Sequence, residues 1–150
     1  MEKVFWLIAA LLAGLAAGIA FSHVLEIPGK RDVDDATAAT IQQHLYRGYR
    51  APSAVIESGA FVAAVAAAIF AAGVATPFWL TVAAAVALAG TFVVFVAATE
   101  VQNRRISRWR IDALTEDWHE TRRRWELSHG IRAVLFLFAL GLLSGAMMSS

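Results

Sequence analysis

Two pairs of histidine and glutamate stand at the ends of long apolar runs, with the partners three positions apart. His23 and Glu26 follow the first run, and Glu126 and His129 precede the last one. Residues three apart share one face of a helix. Helical bundles use a Glu/His pair at this spacing to offer a carboxylate and an imidazole to one metal ion. The pairs therefore predict that any chemistry takes place at one end of the runs.

Glu57 is a candidate of another kind, because it lies about one turn inside an apolar run. An unpaired carboxylate is costly in such surroundings, so Glu57 needs a histidine, an arginine or a metal as its partner. Arg132, just inside the last run, is the candidate partner of Glu57 or Glu26. His44 comes from the polar segment between the first two runs. The predicted metal ligands are His23, Glu26, Glu57, Glu126, His129 and His44.

Several uses of this set remain open at the level of sequence. The inventory is similar to that of carboxylate-bridged two-metal bundles, although His23 and Glu26 stand in the reverse order. A single iron or copper ion with two or three histidine ligands fits equally well. Haem is the second choice, held by two histidines from different spans. In the metal-free alternative the charges only tie the bundle together, with Glu126 paired to a neighbouring arginine.

The elements that carry these residues are apolar enough to cross a membrane. The chain is 59% hydrophobic with a mean hydropathy of +0.59, and the excess is concentrated in runs of about 18 residues or more, the length that spans a bilayer core. We predict an all-α integral membrane four-helix bundle in one domain, with amphipathic interfacial segments at one end. A signal peptide is the rival interpretation of the first run. The predicted spans are 4–22, 53–73, 77–100 and 130–148.

The polar segments between the runs are predicted to be partly helical. Residues 27–31 contain Pro28 and Gly29 and predict a turn, and residues 36–50 predict a short amphipathic helix along the bilayer surface that ends at Ala51-Pro52-Ser53. Residues 101–128 predict an extension of the third run, a bend and an interfacial helix. Its three tryptophans suit the level of the lipid headgroups; they are Trp109, Trp118 and Trp125.

Charge and composition exclude some functions and predict an orientation. A net charge of +1 does not indicate a nucleic-acid partner, and the lack of cysteine excludes dithiol redox chemistry. Arginines crowd the segment between the last two runs, so we expect the polar loops in the cytoplasm and both termini outside a bacterial inner or plasma membrane. Small residues spaced by four suit close helix contacts, within one chain or in a homo-oligomer; these pairs are Gly14/Gly18 and Gly141/Gly145.

One stretch resembles a known family. It contains Asn103, then Trp109, then Arg124-Trp125-x-x-x-His129-x-x-Arg132 at the start of the last run. This pattern, together with the layout of spans over nearly the whole chain, is similar to the anthrone-oxygenase-like family of small four-span membrane proteins. Most members have no known function, and some fungal members are associated with oxidising anthrones to anthraquinones with dioxygen. The resemblance implies that His129, Asn103 and His23 are functional residues.

These residues support two functional hypotheses. In the first, the protein is a membrane oxygenase or oxidoreductase that acts on an apolar aromatic or quinone-like molecule arriving from the lipid bilayer. His129 is then a base or a metal ligand, and Arg132 and Asn103 hold a developing oxyanion. In the second, the protein is a non-enzymatic membrane module that handles haem, lipid or ions, or serves as a partner subunit.

Overall fold

The predicted fold class is confirmed. A computed structural model describes residues 2–150 and, within that range, has seven α-helices and no named strand. Four helical stretches are long and apolar enough to cross a membrane, at Lys3–Arg31, Asp35–Phe70, Ala75–Ile106 and Trp118–Met148. The helices are α1 (Glu2–Leu25), α2 (Ile27–Arg31), α3 (Asp35–His44), α4 (Arg50–Phe70), α5 (Ala75–Val94), α6 (Glu100–Ile106) and α7 (Trp118–Met148).

The bundle is packed largely through alanine. Side chains buried along α1 and α4 include Ala9, Ala13, Ala60 and Ala64, each with no exposed surface. Small side chains let helix backbones approach closely, which is how helices associate in lipid. Gly59 is the tightest case, because a Cβ there would stand 3.0 Å from a methyl carbon of Leu12.

One glycine of each predicted pair contacts another helix of the same chain. A Cβ at Gly14 would meet Leu140 at 3.8 Å, and one at Gly145 would meet Leu80 at 3.6 Å. Gly18 and Gly141 have open space where a Cβ would stand. A homo-oligomer through these faces stays a prediction.

The end of the bundle that carries both termini is joined by one buried hydrogen bond and one tight turn. Trp6 donates from Nε1 to Thr81 Oγ1 at 2.7 Å, linking α1 to α5. Gly73, in the turn between α4 and α5, has a φ of 111°, a backbone conformation that favours glycine. This turn joins α4 to α5 as a hairpin.

The polar segments differ from prediction in three places. The expected turn at 27–31 is the short helix α2, because Pro28 is tolerated in a first turn. The expected break at 51–53 is absent from the described chain: a 3-10 turn, Tyr46–Tyr49, leads directly into α4, with Pro52 in its first turn. Helix α7 begins at Trp118 and runs unbroken through the last span, so the predicted separate interfacial helix is wrong.

Helix α3 folds back over the loop between α6 and α7. Its buried face is Ala38, Ala39 and Gln42, packed near Trp118, while Leu45 is exposed. Two hydrogen bonds from Gln43 Nε2, at 2.7 and 3.0 Å, reach the carbonyls of Ile106 and Trp109. The segment therefore covers the polar end of the bundle.

Candidate functional site

A cavity of about 330 Å³ opens at the polar end of the bundle. We call it the collar cavity. Every span contributes to its wall, as do α3 and the 3-10 turn, and its volume lies within the range of small-molecule sites. The residues that line it and carry the arguments below are His23, Gln42, Tyr46, Arg47, Tyr49, Glu57, Phe95, Asn103, Trp125, His129 and Arg132.

Two histidines from different spans meet on the cavity wall. The rings of His23 and His129 lie edge to face, with centroids 4.5 Å apart. His129 Nδ1 is 3.0 Å from the Trp125 carbonyl oxygen, which can only accept a hydrogen bond. Nδ1 of His129 therefore carries the proton, and Nε2 of the neutral ring is left as an acceptor.

An aromatic stack holds this pair in place. Trp125 and His129 have ring centroids 4.0 Å apart, and Tyr46 stacks on Trp125 at 5.5 Å with a 22° interplanar angle. Trp125 is 3% exposed, so it packs inside the protein and does not face headgroups as predicted. Lys30 Nζ stands 4.5 Å from the centre of the Tyr46 ring. Aromatic rings from α1, the 3-10 turn and α7 therefore form one side of the cavity.

Glu26 links the histidine pair to the surface. It accepts a short hydrogen bond from the Tyr46 hydroxyl. Its carboxylate is also 3.0 Å from Lys30 Nζ and 3.8 Å from His23 Nδ1. The side chain is 38% exposed while that of His23 is 5% exposed, so Glu26 lies between a buried imidazole and solvent.

Glu57 forms an ion pair with Arg132, which supplies the partner expected for a carboxylate inside an apolar run. Arg132 Nη2 donates to Glu57 Oε1 at 2.5 Å, and both side chains are less than a tenth exposed. This ion pair joins α4 to α7. Arg132 also stands over the Phe95 ring at 5.1 Å, and its buried Nε has no hydrogen-bond partner.

Asn103 is hydrogen-bonded to Trp125 through its side-chain oxygen, and its role toward an oxyanion stays a prediction. Its Oδ1 accepts from Trp125 Nε1 at 2.8 Å, and its Nδ2 is 3.4 Å from Glu100. Glu100 in turn accepts from Arg50 and Arg104. The geometry makes Asn103 a positioning residue for the Trp125 indole, which packs against the His129 ring.

The structure brings five of the predicted site residues to one cavity and leaves three outside it. Those on the wall are His23, Glu57, Asn103, His129 and Arg132. Glu26 touches His23 from behind. Glu126 is held by Arg122 at 3.0 Å, and His44 is exposed with Nδ1 3.1 Å from the Thr40 carbonyl.

The predicted metal and haem sites find no support in this arrangement. Among the described residues no group of three or more histidine, aspartate or glutamate side chains is placed to hold a metal ion. The carboxylates of Glu57, Glu26 and Glu126 form ion pairs with Arg132, Lys30 and Arg122. The His23 and His129 rings touch each other, so a porphyrin does not fit between them in this conformation. An iron or copper site stays a prediction.

Several wall residues were not anticipated as part of a site. Tyr46 and Tyr49 belong to the segment predicted as a surface helix, and both line the cavity. Phe95 begins a π-helical segment, Phe95–Thr99, and both of its end residues line the cavity. Such segments occur frequently at functional sites. The three-residue spacing of Tyr46 and Tyr49 indicates that both tyrosines share one helical face. No feature of the local sequence indicates the π-helical segment.

Comparisons with protein-family models, with curated proteins and with solved structures found no match for this chain.

Proposed function

We propose that the protein is a membrane oxidoreductase that binds a flat, apolar aromatic molecule in the collar cavity and oxidises it with dioxygen. The single observation that supports this most is the meeting of two buried histidines with an aromatic wall, in a cavity inside the polar end of the bundle. The resemblance to the anthrone-oxygenase-like family points in the same direction.

The proposed chemistry begins with a proton transfer. His129 Nε2 removes a proton from a ring CH₂ that is conjugated with a carbonyl through aromatic rings, and the electron pair moves to the carbonyl oxygen as an enolate. We assign that oxyanion to the Arg132 guanidinium, whose buried Nε–H has no hydrogen-bond partner among the described residues. The enolate carbon then gives two electrons to dioxygen and forms a C–O bond. The hydroperoxide loses its remaining C–H proton and a hydroxide ion as the O–O bond breaks, which leaves the ketone. Overall the CH₂ group and O₂ become C=O and water.

The proton leaves through the second histidine. The His23 ring is in contact with His129 and its Nδ1 is 3.8 Å from Glu26. Glu26 is the first partly exposed group along this line. Along this proposed route, Glu26 is the group that contacts solvent.

The test compares two histidines of the same helix. Protein in phosphatidylcholine nanodiscs is given anthrone, and dioxygen uptake and anthraquinone absorbance are followed against empty nanodiscs. We expect His129→Gln to lower kcat by roughly 10²-fold or more, the usual contribution of a general base. His119→Gln is the control, because His119 is exposed and outside the cavity wall. Equal rates for wild type, His129→Gln and empty nanodiscs would refute the proposal.

The pairing of the carboxylates favours a second candidate, a binding module without turnover. Glu57, Glu126 and Glu26 each have a cationic partner within 3.0 Å, as expected if the polar ring mainly closes the bundle. This candidate predicts that an aromatic ligand binds to the cavity while dioxygen uptake stays at the level of empty nanodiscs.

A further inference from the structure

We infer that the ligand of the collar cavity carries an oxyanion, a carboxylate or a phosphate, in addition to its apolar body, and that Gln42 and Arg47 bind it. The inference rests on the proposed function, in which the same cavity takes a flat aromatic molecule. It adds a second recognition site, away from the histidine pair, on the wall formed by α3 and the 3-10 turn.

The first observation is an unused buried donor. Gln42 lines the cavity and is 7% exposed, and its Nε2 has no hydrogen-bond partner. A buried amide N–H without an acceptor is costly, so such groups nearly always have a partner. In contrast, the side-chain amide of the neighbouring Gln43 donates two hydrogen bonds to backbone carbonyls. An acceptor from a ligand would satisfy Gln42.

The second observation is charge. Three arginines line the cavity, and two of them are neutralised: Arg132 by Glu57 and Arg50 by Glu100. Arg47 has no ion-pair partner among the described residues. The cavity wall therefore carries one unbalanced positive charge, five residues along the chain from the unused amide of Gln42.

The third observation is that the wall has an apolar side for the rest of the ligand. Ile19, Ala20 and Phe92 lie deeper in their spans than the polar lining residues. A ligand with an aromatic body inward and an oxyanion outward matches this order. An anionic aromatic compound and the headgroup of an anionic phospholipid share the oxyanion, and the experiment separates them.

The experiment uses two probes with the same rings. Wild-type protein in phosphatidylcholine nanodiscs is titrated with 2-anthracenecarboxylate and with its neutral amide, and Kd is read from anthracene fluorescence. We expect the carboxylate to bind about tenfold more tightly, and Gln42→Leu and Arg47→Gln each to remove most of that preference. Arg31→Gln is the control, because Arg31 is an exposed arginine at the same end and outside the cavity wall.

A second arm replaces part of the phosphatidylcholine by phosphatidylglycerol. Competition with the carboxylate that disappears in Arg47→Gln but persists in Arg31→Gln assigns the site to a lipid headgroup. Lack of competition assigns it to the free aromatic anion. Both results support an oxyanion site.

The experiment distinguishes failure of the oxyanion site from failure of the proposed function. Equal affinity for carboxylate and amide, or an equal loss in Arg47→Gln and Arg31→Gln, overturns the oxyanion site and leaves the aromatic cavity intact. Binding of neither probe overturns both this inference and the proposed function.

Discussion

The buried ion pair between Glu57 and Arg132 gives the sharpest test of how the collar is held together. Breaking a buried pair by removing one partner costs about 3–5 kcal/mol, because the remaining charge is left uncompensated. Replacing both partners by apolar residues of similar size is often close to neutral. With a 2.5 Å contact and both side chains less than a tenth exposed, this pair belongs to that buried class.

We therefore expect Glu57→Leu and Arg132→Met each to lower the free energy of unfolding by roughly 3–5 kcal/mol, and the double variant to return to within about 1 kcal/mol of wild type. Unfolding is followed by circular dichroism during SDS titration of protein in dodecylmaltoside micelles. Arg123→Met is the matched control: Arg123 pairs with Glu120 on the exposed side of the same helix, and such surface pairs contribute little.

Additive losses in the double variant would refute the reasoning, since additivity means that the two side chains do not compensate each other. A stable double variant also separates two roles of Arg132. If it folds as wild type yet fails to oxidise substrate, the Glu57–Arg132 pair is needed for chemistry and not only for closure of the bundle.

Two further predictions concern a close helix contact and a helix cap. Gly59→Val should destabilise by about 1–3 kcal/mol in the same titration, because its Cβ stands 3.0 Å from Leu12; Gly18→Val, with open space at its Cβ, is the control, and equal stability of the two variants would contradict the packing. Hydrogen bonds from the Thr37 side chain and backbone lower the pKa of Asp34, the N-cap of α3. Stability from this cap is therefore present above the ordinary aspartate pKa and is lost as pH falls through the lowered value. Amide hydrogen exchange in α3 should therefore accelerate as pH falls through the lowered pKa, and it should accelerate less in Asp34→Asn. Identical pH profiles of exchange in wild type and Asp34→Asn would count against the cap.

The bundle was predictable because the length and polarity of a run suffice to predict a membrane span. The need of Glu57 for a partner was predictable for the same reason, as a carboxylate inside such a run must be compensated. Arg132 was the arginine named for Glu57 or Glu26, and it pairs with Glu57. Which of the two carboxylates it takes depends on how the helices are rotated about their axes, which apolar periodicity determines only loosely.

The aromatic wall was missed for a different reason. Trp125 sits in an arginine-rich stretch, and that local composition is typical of an interfacial tryptophan. Its burial depends on a distant segment: the chain turns back after α1, and Tyr46 comes to stack on the indole. Similarly, the predicted end of the surface helix at 51–53 was wrong because Pro52 can start a helix as well as break one.

The π segment explains why Asn103 belongs to the site without touching the proposed chemistry. A turn with i→i+5 bonding contains an additional residue, which rotates the next helical turns by roughly 100° relative to a continuous α-helix. With that rotation, Asn103 reaches Trp125 Nε1 at 2.8 Å and Thr99 reaches Ser128 at 3.0 Å. The Trp125 indole packs against the His129 ring at 4.0 Å, so the irregular turn in the third span is connected through Asn103 and Trp125 to the position of the proposed base. A regular helix would turn Asn103 away and leave the indole, and with it the imidazole, without this support.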